Sequence, residues 1–269
     1  MNQELSAASI WVLKKYSVLE KNLEKNLETY ELAHSINNLY HFLWDDYANW
    51  YVEYLKTEPA QKPFAKELFR QFVVTLYPYS PFETEALWKE FFGEEKLLAF
   101  EIKDPNWTQN QLDDQKDLEI SAEFEIIVNF ISNLRSLRGL FAIDPVNLIQ
   151  IFTSSETLLK YSQFIKLAGR TELINEENNN LYSVSTVFYN YSINILSYIK
   201  DLTKETEKTQ KQILNLEKQI GSLEIQLQNP NFLENAEKVV VEEKNQDLNT
   251  RKLELAEQKS KLEFLSKIT

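Results

Sequence analysis

Pairs of basic residues are the first feature of this sequence whose type and spacing suit a chemical task. Arg135 and Arg138 are three residues apart in a helical pattern, so they share one helix face and could contact consecutive phosphate groups. Ion pairs with nearby acidic residues are the alternative. Lys166 and Arg170 are four apart at a predicted helix end, where they could contact phosphates or offset the helix dipole.

A longer row of basic residues lies near the C-terminus. Its first part recurs at steps of three, four and seven residues and consists of Lys204, Lys208, Lys211 and Lys218. The following helix could continue the row with Lys244, Arg251 and Lys252. This spacing predicts a basic stripe along one helix face that contacts RNA. In a coiled coil, such residues also commonly act as salt-bridge partners beside the seam.

Two sets of candidates in the first hundred residues also have ordinary structural explanations. Lys56 could contact RNA, but it could instead pair with Glu53 or be solvated. Trp44, Trp50 and Trp88 could stack on bases, because aromatic stacking contributes ~1–3 kcal/mol per base. Their helical spacing makes packing in the core the preferred interpretation.

The residues on which common catalytic sites depend are scarce. The chain has no Cys, which excludes a disulfide, a Cys-ligated zinc and a thiol nucleophile. Its two His, His34 and His41, are expected in structural roles, and its four isolated Gly cannot form a phosphate-binding loop. We therefore predict a scaffold or binding protein with no catalytic residues, no metal site and no cofactor of its own.

Charge and hydropathy narrow the class of protein further. The net charge of −12 argues on average against a nucleic-acid partner. The acidic excess lies in residues 1–199, because residues 200–269 carry 12 basic and 13 acidic groups. No segment resembles a signal peptide or reaches the ~18 apolar residues of a membrane span. The expectation is a soluble, cytoplasmic, mostly helical protein without a membrane partner.

The N-terminal part predicts a bundle of four antiparallel helices over residues 5–95. Apolar residues recur every three or four positions over residues 13–30, 36–54 and 68–76. A fourth helix is expected to begin at Ser80-Pro81-Phe82-Glu83. There Ser80 can cap the helix, Pro81 suits the first helical position, and Glu83 can complete a capping box. Short connections favour antiparallel packing.

The middle part predicts a small α+β domain. After a polar connection over residues 96–117, one helix carries apolar residues from Phe124 to Leu137 and ends near Gly139. Residues 146–152 alternate like a strand, and a helix is expected around residues 158–168. A polar turn over residues 176–180 follows. The β-branched and aromatic segments 182–189 and 191–196 complete the prediction as strands.

The last seventy residues predict an antiparallel coiled-coil hairpin. One seam follows heptad spacing through Ile213, Leu216, Ile220, Leu223 and Leu227, and the other through Val241, Leu248, Leu255 and Leu262. Pro230 lies between two helices of similar length, each about 40 Å long. Thr206 and Thr209 interrupt the first seam. The predicted domains are thus 1–104, 105–199 and 200–269.

Four segments together carry a resemblance to one enzyme family. FLWDDYANWYVEYLK (42–56) resembles the W-x-x-x-x-x-W-Y-x-E-x-x-K stretch of class I aminoacyl-tRNA synthetases of the valine, leucine and isoleucine group. LYPYSPFETEALW (76–88) is similar to their L-H-P-x-x-P-F-x-T-E-x-L-W motif, with Tyr77 replacing His. NFISNLRSLRGLFAIDP (129–145) resembles the paired-arginine segment of valine–tRNA ligases. LQNPNFLENAEKVVVEEKNQDL (227–248) resembles the turn of their coiled coil, with Glu237 replacing Pro.

The resemblance covers essentially the whole chain and implies the C-terminal part of a valine–tRNA ligase. The bundle would bind the anticodon, the α+β part would be a junction, and the hairpin would be an arm at the elbow of tRNA(Val). The H-I-G-H-like and K-M-S-K-S motifs and the editing domain are missing from these residues. ATP and valine would therefore bind a catalytic half that lies outside these residues. That half could be a separate partner chain.

Two other classes of function compete with this hypothesis. The chain could be an interaction protein that derives from a synthetase fragment and self-associates through its coiled coil. The hairpin can satisfy its own seams, which favours a monomer instead. An autonomous enzyme would need a catalytic site for which the sequence offers no residues.

Overall fold

The described part of the chain forms two compact units. The computed structural model describes residues 4–93, 98, 104, 106–112, 116–174, 182–186, 189–199, 201–230, 232, 236 and 238–268. One unit consists of Met1–Ser132 with Glu156–Gly169, and the other of Asn133–Ser155 with Arg170–Thr269. Within the described ranges, no helix combines the length and hydropathy needed to cross a membrane.

Helices build the first unit, as the periodicity predicts. They are α1 (Ala7–Glu28), α2 (Leu32–His41), α3 (Lys62–Leu76), α4 (Pro81–Phe92), α5 (Trp107–Gln111), the first part of α6 (Lys116–Leu140), α7 (Glu156–Lys160) and α8 (Ser162–Gly169). A π-helical segment, Phe42–Val52, continues α2 directly, and a short 3₁₀ turn, Pro59–Gln61, precedes α3. The predicted helical bundle is therefore confirmed, while most of the polar connection expected over 96–117 lies outside the described residues.

The helix starts follow local capping chemistry, with one difference from prediction. The Ser6 hydroxyl oxygen accepts a hydrogen bond from the Ser9 backbone N–H at 3.2 Å, which fixes the start of α1. Helix α4 begins at Pro81, as expected. The predicted capping box is absent there, because the Ser80 hydroxyl donates to the Glu83 carboxylate at 2.7 Å and no side chain caps the helix. That hydrogen bond lowers the pKa of Glu83.

The prediction of which residues are buried in the second helix is wrong in part, and the π-helical segment explains the difference. Of the apolar positions that the pattern over 36–54 assigns to the core, Ile36 is exposed, and Leu43 and Trp50 are only half-buried. Tyr47 is buried as the pattern predicts, and the other buried side chains of the segment are Phe42 and Tyr51, five residues before it and four after it. A π-helix bonds each residue to the fifth along the chain, so its turns are wider and other side chains align with the core.

The tryptophans of the first unit differ in their surroundings. Trp88 is 1% exposed and packs with Val73 and Leu98, and the Arg70 guanidinium lies 4.7 Å from its ring centroid. Core packing is thus confirmed for Trp88. For Trp44 it is wrong, because 56% of this residue is exposed.

The second unit contains a four-stranded mixed sheet of order β2-β1-β4-β3. Its strands are β1 (Ile149–Phe152), β2 (Thr171–Ile174), β3 (Tyr182–Ser185) and β4 (Asn190–Ile193). β1 runs parallel to β2 and antiparallel to β4, which also pairs antiparallel with β3. The strand expected over 182–189 is shorter in the structure, and β2 is an element that the sequence pattern did not predict. The predicted polar turn at 176–180 lies outside the described residues.

A helical hairpin follows the sheet and a 3₁₀ turn, Ile195–Tyr198. Its helices are α9 (Leu202–Gln228) and α10 (Lys238–Ile268), and their pairing confirms the prediction. Ion pairs between Lys252 and Glu224 at 2.6 Å and between Lys259 and Glu217 at 2.8 Å join the helices. Thr209 is buried in the seam, and its hydroxyl donates to the Glu205 backbone oxygen, so it packs rather than interrupts. Glu237 lies outside the described residues.

The difference in burial between Trp88 and Trp44 gives a test of the packing in the first unit. Trp88→Ala is expected to lower the free energy of unfolding by about 3–5 kcal/mol, because it leaves a cavity among buried side chains. Trp44→Ala is the matched control and should change it by less than about 0.5 kcal/mol. Urea denaturation followed by circular dichroism measures both values, and equal losses would contradict this packing.

Candidate nucleic-acid interface

A cleft of about 1030 Å³ in the second unit brings together basic residues from two distant parts of the chain. Its walls are the C-terminal end of α6, the loop after α6, residues 198, 199 and 201 and the first two turns of α9. Arg135 and Arg138 line the cleft from α6, and Lys204 and Lys208 line it from α9. The arginine pair and the start of the lysine row, which are distant in the sequence, therefore line one cleft.

The two arginines of α6 have different environments although they share a helix face. Arg138 is buried, and one guanidinium nitrogen donates to the Arg170 backbone oxygen at 2.6 Å. The other donates over 3.4 Å to the Asp144 backbone oxygen. Burial lowers the pKa of Arg138 from its ordinary value, yet an arginine remains charged. Arg138 thus holds the cleft wall in place, while the side chain of Arg135 is exposed.

The carboxylates of the cleft are engaged in local structure. Asp144 accepts a hydrogen bond from the Val146 backbone N–H at 2.9 Å. Asp201 caps α9 by accepting from the Lys204 backbone N–H at 3.0 Å. Glu205 pairs with the Lys261 ammonium group at 2.6 Å. Each acidic side chain of the cleft thus has a structural partner, and the four basic side chains of the lining outnumber the three acidic ones.

The basic surface continues from the cleft along α9. Lys204, Lys208, Lys211 and Lys218 are all exposed. At 100° per residue they fall within one sector of the helix, opposite the buried seam residues Ile213 and Ile220. They span about 21 Å of helix. We call these four lysines together with Arg135 the basic track.

Two of the three candidates on α10 have partners within the hairpin. Arg251 pairs with Asp247 at 2.9 Å and donates a hydrogen bond to Gln219, while Lys252 pairs with Glu224. Lys244 is half-buried. The alternative weighed for the sequence, salt-bridge partners beside the seam, describes Arg251 and Lys252 well.

The remaining candidates lie apart from the basic track. Lys56 pairs with Glu53 at 2.6 Å in the first unit, and Lys166 is exposed on α8 in the same unit. Arg170 follows the end of α8 with a left-handed φ of 47° and donates to the Pro145 backbone oxygen at 3.2 Å. RNA contact by these three residues stays a prediction. Over the ranges that the structure describes, no cluster of side chains could hold a metal ion.

Lys261 supports the cleft through its ion pair with Glu205, and nothing in the sequence singles it out. It is 1% exposed at the base of the hairpin, and its ammonium group donates to Glu205 and to the Leu140 backbone oxygen. The ammonium nitrogen also lies 5.2 Å from the centroid of the Phe141 ring. A lysine beside a heptad seam normally faces water, so no sequence signal distinguished it.

Family models match both parts of the chain that form the cleft. The model of the anticodon-binding domain of tRNA ligase matches residues 9–152, more than half of the 269 residues. The chain belongs to this family. The model of the valyl tRNA synthetase tRNA binding arm matches residues 201–266. The cleft of this tRNA ligase family member therefore has Arg135 and Arg138 from the first match and Lys204 and Lys208 from the second.

Curated relatives agree with the family models over nearly the whole chain. The valine–tRNA ligase of Thermotoga maritima is 26% identical over 98% of this chain and 31% of the relative. That of Mycoplasmoides gallisepticum is 26% identical over 98% and 30%, and that of Helicobacter pylori is 26% identical over 93% and 29%. The chain thus spans about 30% of the length of these relatives and corresponds to their C-terminal part, which confirms the resemblance.

The buried ion pair at the base of the arm gives a test of how the cleft is held. Lys261→Met is expected to lower the free energy of unfolding by about 3–5 kcal/mol, because it leaves Glu205 and the Leu140 oxygen without a partner. Lys259→Met removes the exposed pair with Glu217 and should cost less than about 1 kcal/mol.

Urea denaturation of both variants measures the difference. The double variant Lys261→Met/Glu205→Leu is expected to regain much of the loss, because an apolar pair needs no charge compensation. Equal costs for Lys261→Met and Lys259→Met would show that burial adds nothing to this ion pair.

Proposed function

We propose that this chain is the tRNA-binding C-terminal region of a valine–tRNA ligase, which holds tRNA(Val) during aminoacylation. Residues 1–104 would contact the anticodon, residues 105–199 would form a junction, and residues 200–269 would form an arm against the elbow of the tRNA. The reaction with ATP and valine would take place in a catalytic part outside these residues, on a separate chain if the two are encoded apart. Such a protein works in the cytoplasm, where tRNA is aminoacylated.

The observation that carries the proposal is the basic track. The chain has a net charge of −12, yet five exposed basic side chains follow one surface from the cleft along α9. Phosphate groups spaced along an RNA backbone match such a row, because each lysine or arginine can replace a bound counterion. The match of residues 201–266 to a tRNA-binding arm points to the same ligand.

Self-association through the coiled coil has less support. The seam of α9 is covered by α10, and the ion pairs of Lys252 and Lys259 join the two helices along one side of the hairpin. A second copy would have to displace these contacts. We therefore propose a monomer whose arm offers its outer face to RNA.

Charge removal on the basic track tests the proposed function. Lys211→Gln/Lys218→Gln should weaken binding of tRNA(Val) and reduce the slope of log affinity against log salt by about 2, one for each lost phosphate contact. Fluorescence anisotropy at several salt concentrations gives the slope. The charge-matched control is Lys259→Gln/Lys267→Gln, which removes two lysines paired with Glu217 and Glu263 and should leave the slope unchanged.

Specificity requires a second measurement with the same protein. Unlabelled tRNA(Val) should displace labelled tRNA(Val) at lower concentration than a non-cognate tRNA does. Equal displacement by every RNA, or an unchanged slope in Lys211→Gln/Lys218→Gln, would contradict the proposed function.

A further inference from the structure

We propose that the cleft at the base of the arm seats phosphodiester groups of the bound RNA and that its occupation fixes the direction of the arm. This inference rests on the proposed function and adds a conformational role to one part of the basic track. The cleft would act as a clamp between α6 and α9, whereas Lys211 and Lys218 would contribute attraction alone.

The walls of the cleft carry the first part of the argument. Arg135 and Arg138 belong to α6, and Lys204 and Lys208 belong to the first two turns of α9. An anion between them contacts the body of the second unit and the arm at the same time. A volume of about 1030 Å³ is far larger than one phosphate group and has room for a short stretch of sugar–phosphate backbone.

The charges of the cleft favour an anion. Four basic side chains line it, and its three acidic side chains bond to Val146, Lys204 and Lys261. The buried Lys261 ammonium group compensates Glu205 from inside the protein. The net charge of the lining is therefore positive in a chain that is strongly acidic.

The backbone around the cleft is held in an unusual conformation. Ala142 in the cleft wall has a left-handed φ of 50°, and Arg170, whose carbonyl binds Arg138, has a φ of 47°. Non-glycine residues pay a steric cost in this region, and such positions cluster at binding and switch sites. Arg138 holds both segments, so the wall is prepared before a ligand enters.

A small rotation at the base of the arm produces a large displacement farther along it. Its attachment to the sheet and α6 includes Lys261 and the ring of Phe264, whose centroid lies 5.1 Å from that of Tyr182 and 6.3 Å from that of Phe141. Ile225 is 23 residues along the hairpin from Leu202, and a rotation of about 10° at the base moves it by about 6 Å. A second attachment through the cleft would restrict that movement.

Pulsed electron paramagnetic resonance on the full chain tests the clamp. The chain has no Cys, so the variant Asn190→Cys/Ile225→Cys has two thiols for spin labelling and no others. Both positions are exposed, one on β4 and one on α9. Saturating tRNA(Val) is expected to narrow the distribution of distances between the labels by several ångströms. Adding Arg135→Gln/Lys204→Gln should abolish the narrowing at saturation, while the charge-matched Lys211→Gln/Lys218→Gln should weaken binding but preserve it.

Each outcome separates the clamp from the proposed function. Bound tRNA with an unchanged distribution would overturn the clamp and leave tRNA binding intact, whereas the absence of binding would overturn both. Narrowing by inorganic phosphate alone, with no further change on addition of tRNA, would overturn RNA as the occupant. Circular dichroism and urea denaturation of Arg135→Gln/Lys204→Gln must match the parent, and an unfolded variant would be replaced by Lys204→Gln alone, which is exposed and expected to act in the same direction.

Discussion

A buried ammonium group determines how the arm joins the rest of the second unit. Lys261 comes from α10, and its hydrogen bonds reach Glu205 on α9 and the last residue of α6, Leu140. A buried charge is tolerated only where its partners remain in place. The three helix ends are therefore fixed together, and the cleft between α6 and α9 follows from that arrangement.

The same interaction explains how an acidic chain can present a positive surface. Glu205 lies in the cleft, but its charge is compensated by Lys261. Asp201 is used as a helix cap and Asp144 as a turn acceptor. Because Lys261 compensates Glu205, the basic side chains of the cleft, Lys204 and Lys208 among them, outweigh the exposed carboxylates of Asp144 and Asp201. Net charge is thus a poor guide to a local surface when the acids have structural tasks.

Arg135 and Arg138 look alike in the sequence, but the structure buries only one of them. They are three apart and share one helix face, as their spacing predicts. The loop after α6 and the start of β2 fold over Arg138, so its guanidinium bonds to backbone oxygens, while Arg135 stays exposed. One residue builds the wall of the cleft, and the other keeps its side chain at the exposed surface.

Local patterns by themselves determined most of the helices, because each amphipathic helix repeats its apolar residues within a few turns. For this reason the sequence predicts the long α6, with buried Phe124 and Leu134. It also predicts the hairpin seam through Ile213 and Ile220. The lysine stripe was readable too, since its spacing depends on one helix alone. The motifs at 42–56 and 76–88 also determined the family.

Tertiary structure alone decided the features that depend on contacts between distant residues. β2 has four residues, and its pairing with β1 is what makes it a strand. The π-helical segment brings Phe42 and Tyr51 into the buried face beside Tyr47. The burial of Lys261, and the meeting of Arg135 with Lys204 in one cleft, join parts of the chain that are far apart in sequence. No local periodicity encodes such contacts, because the free energy of burying a group depends on what surrounds it in the folded chain.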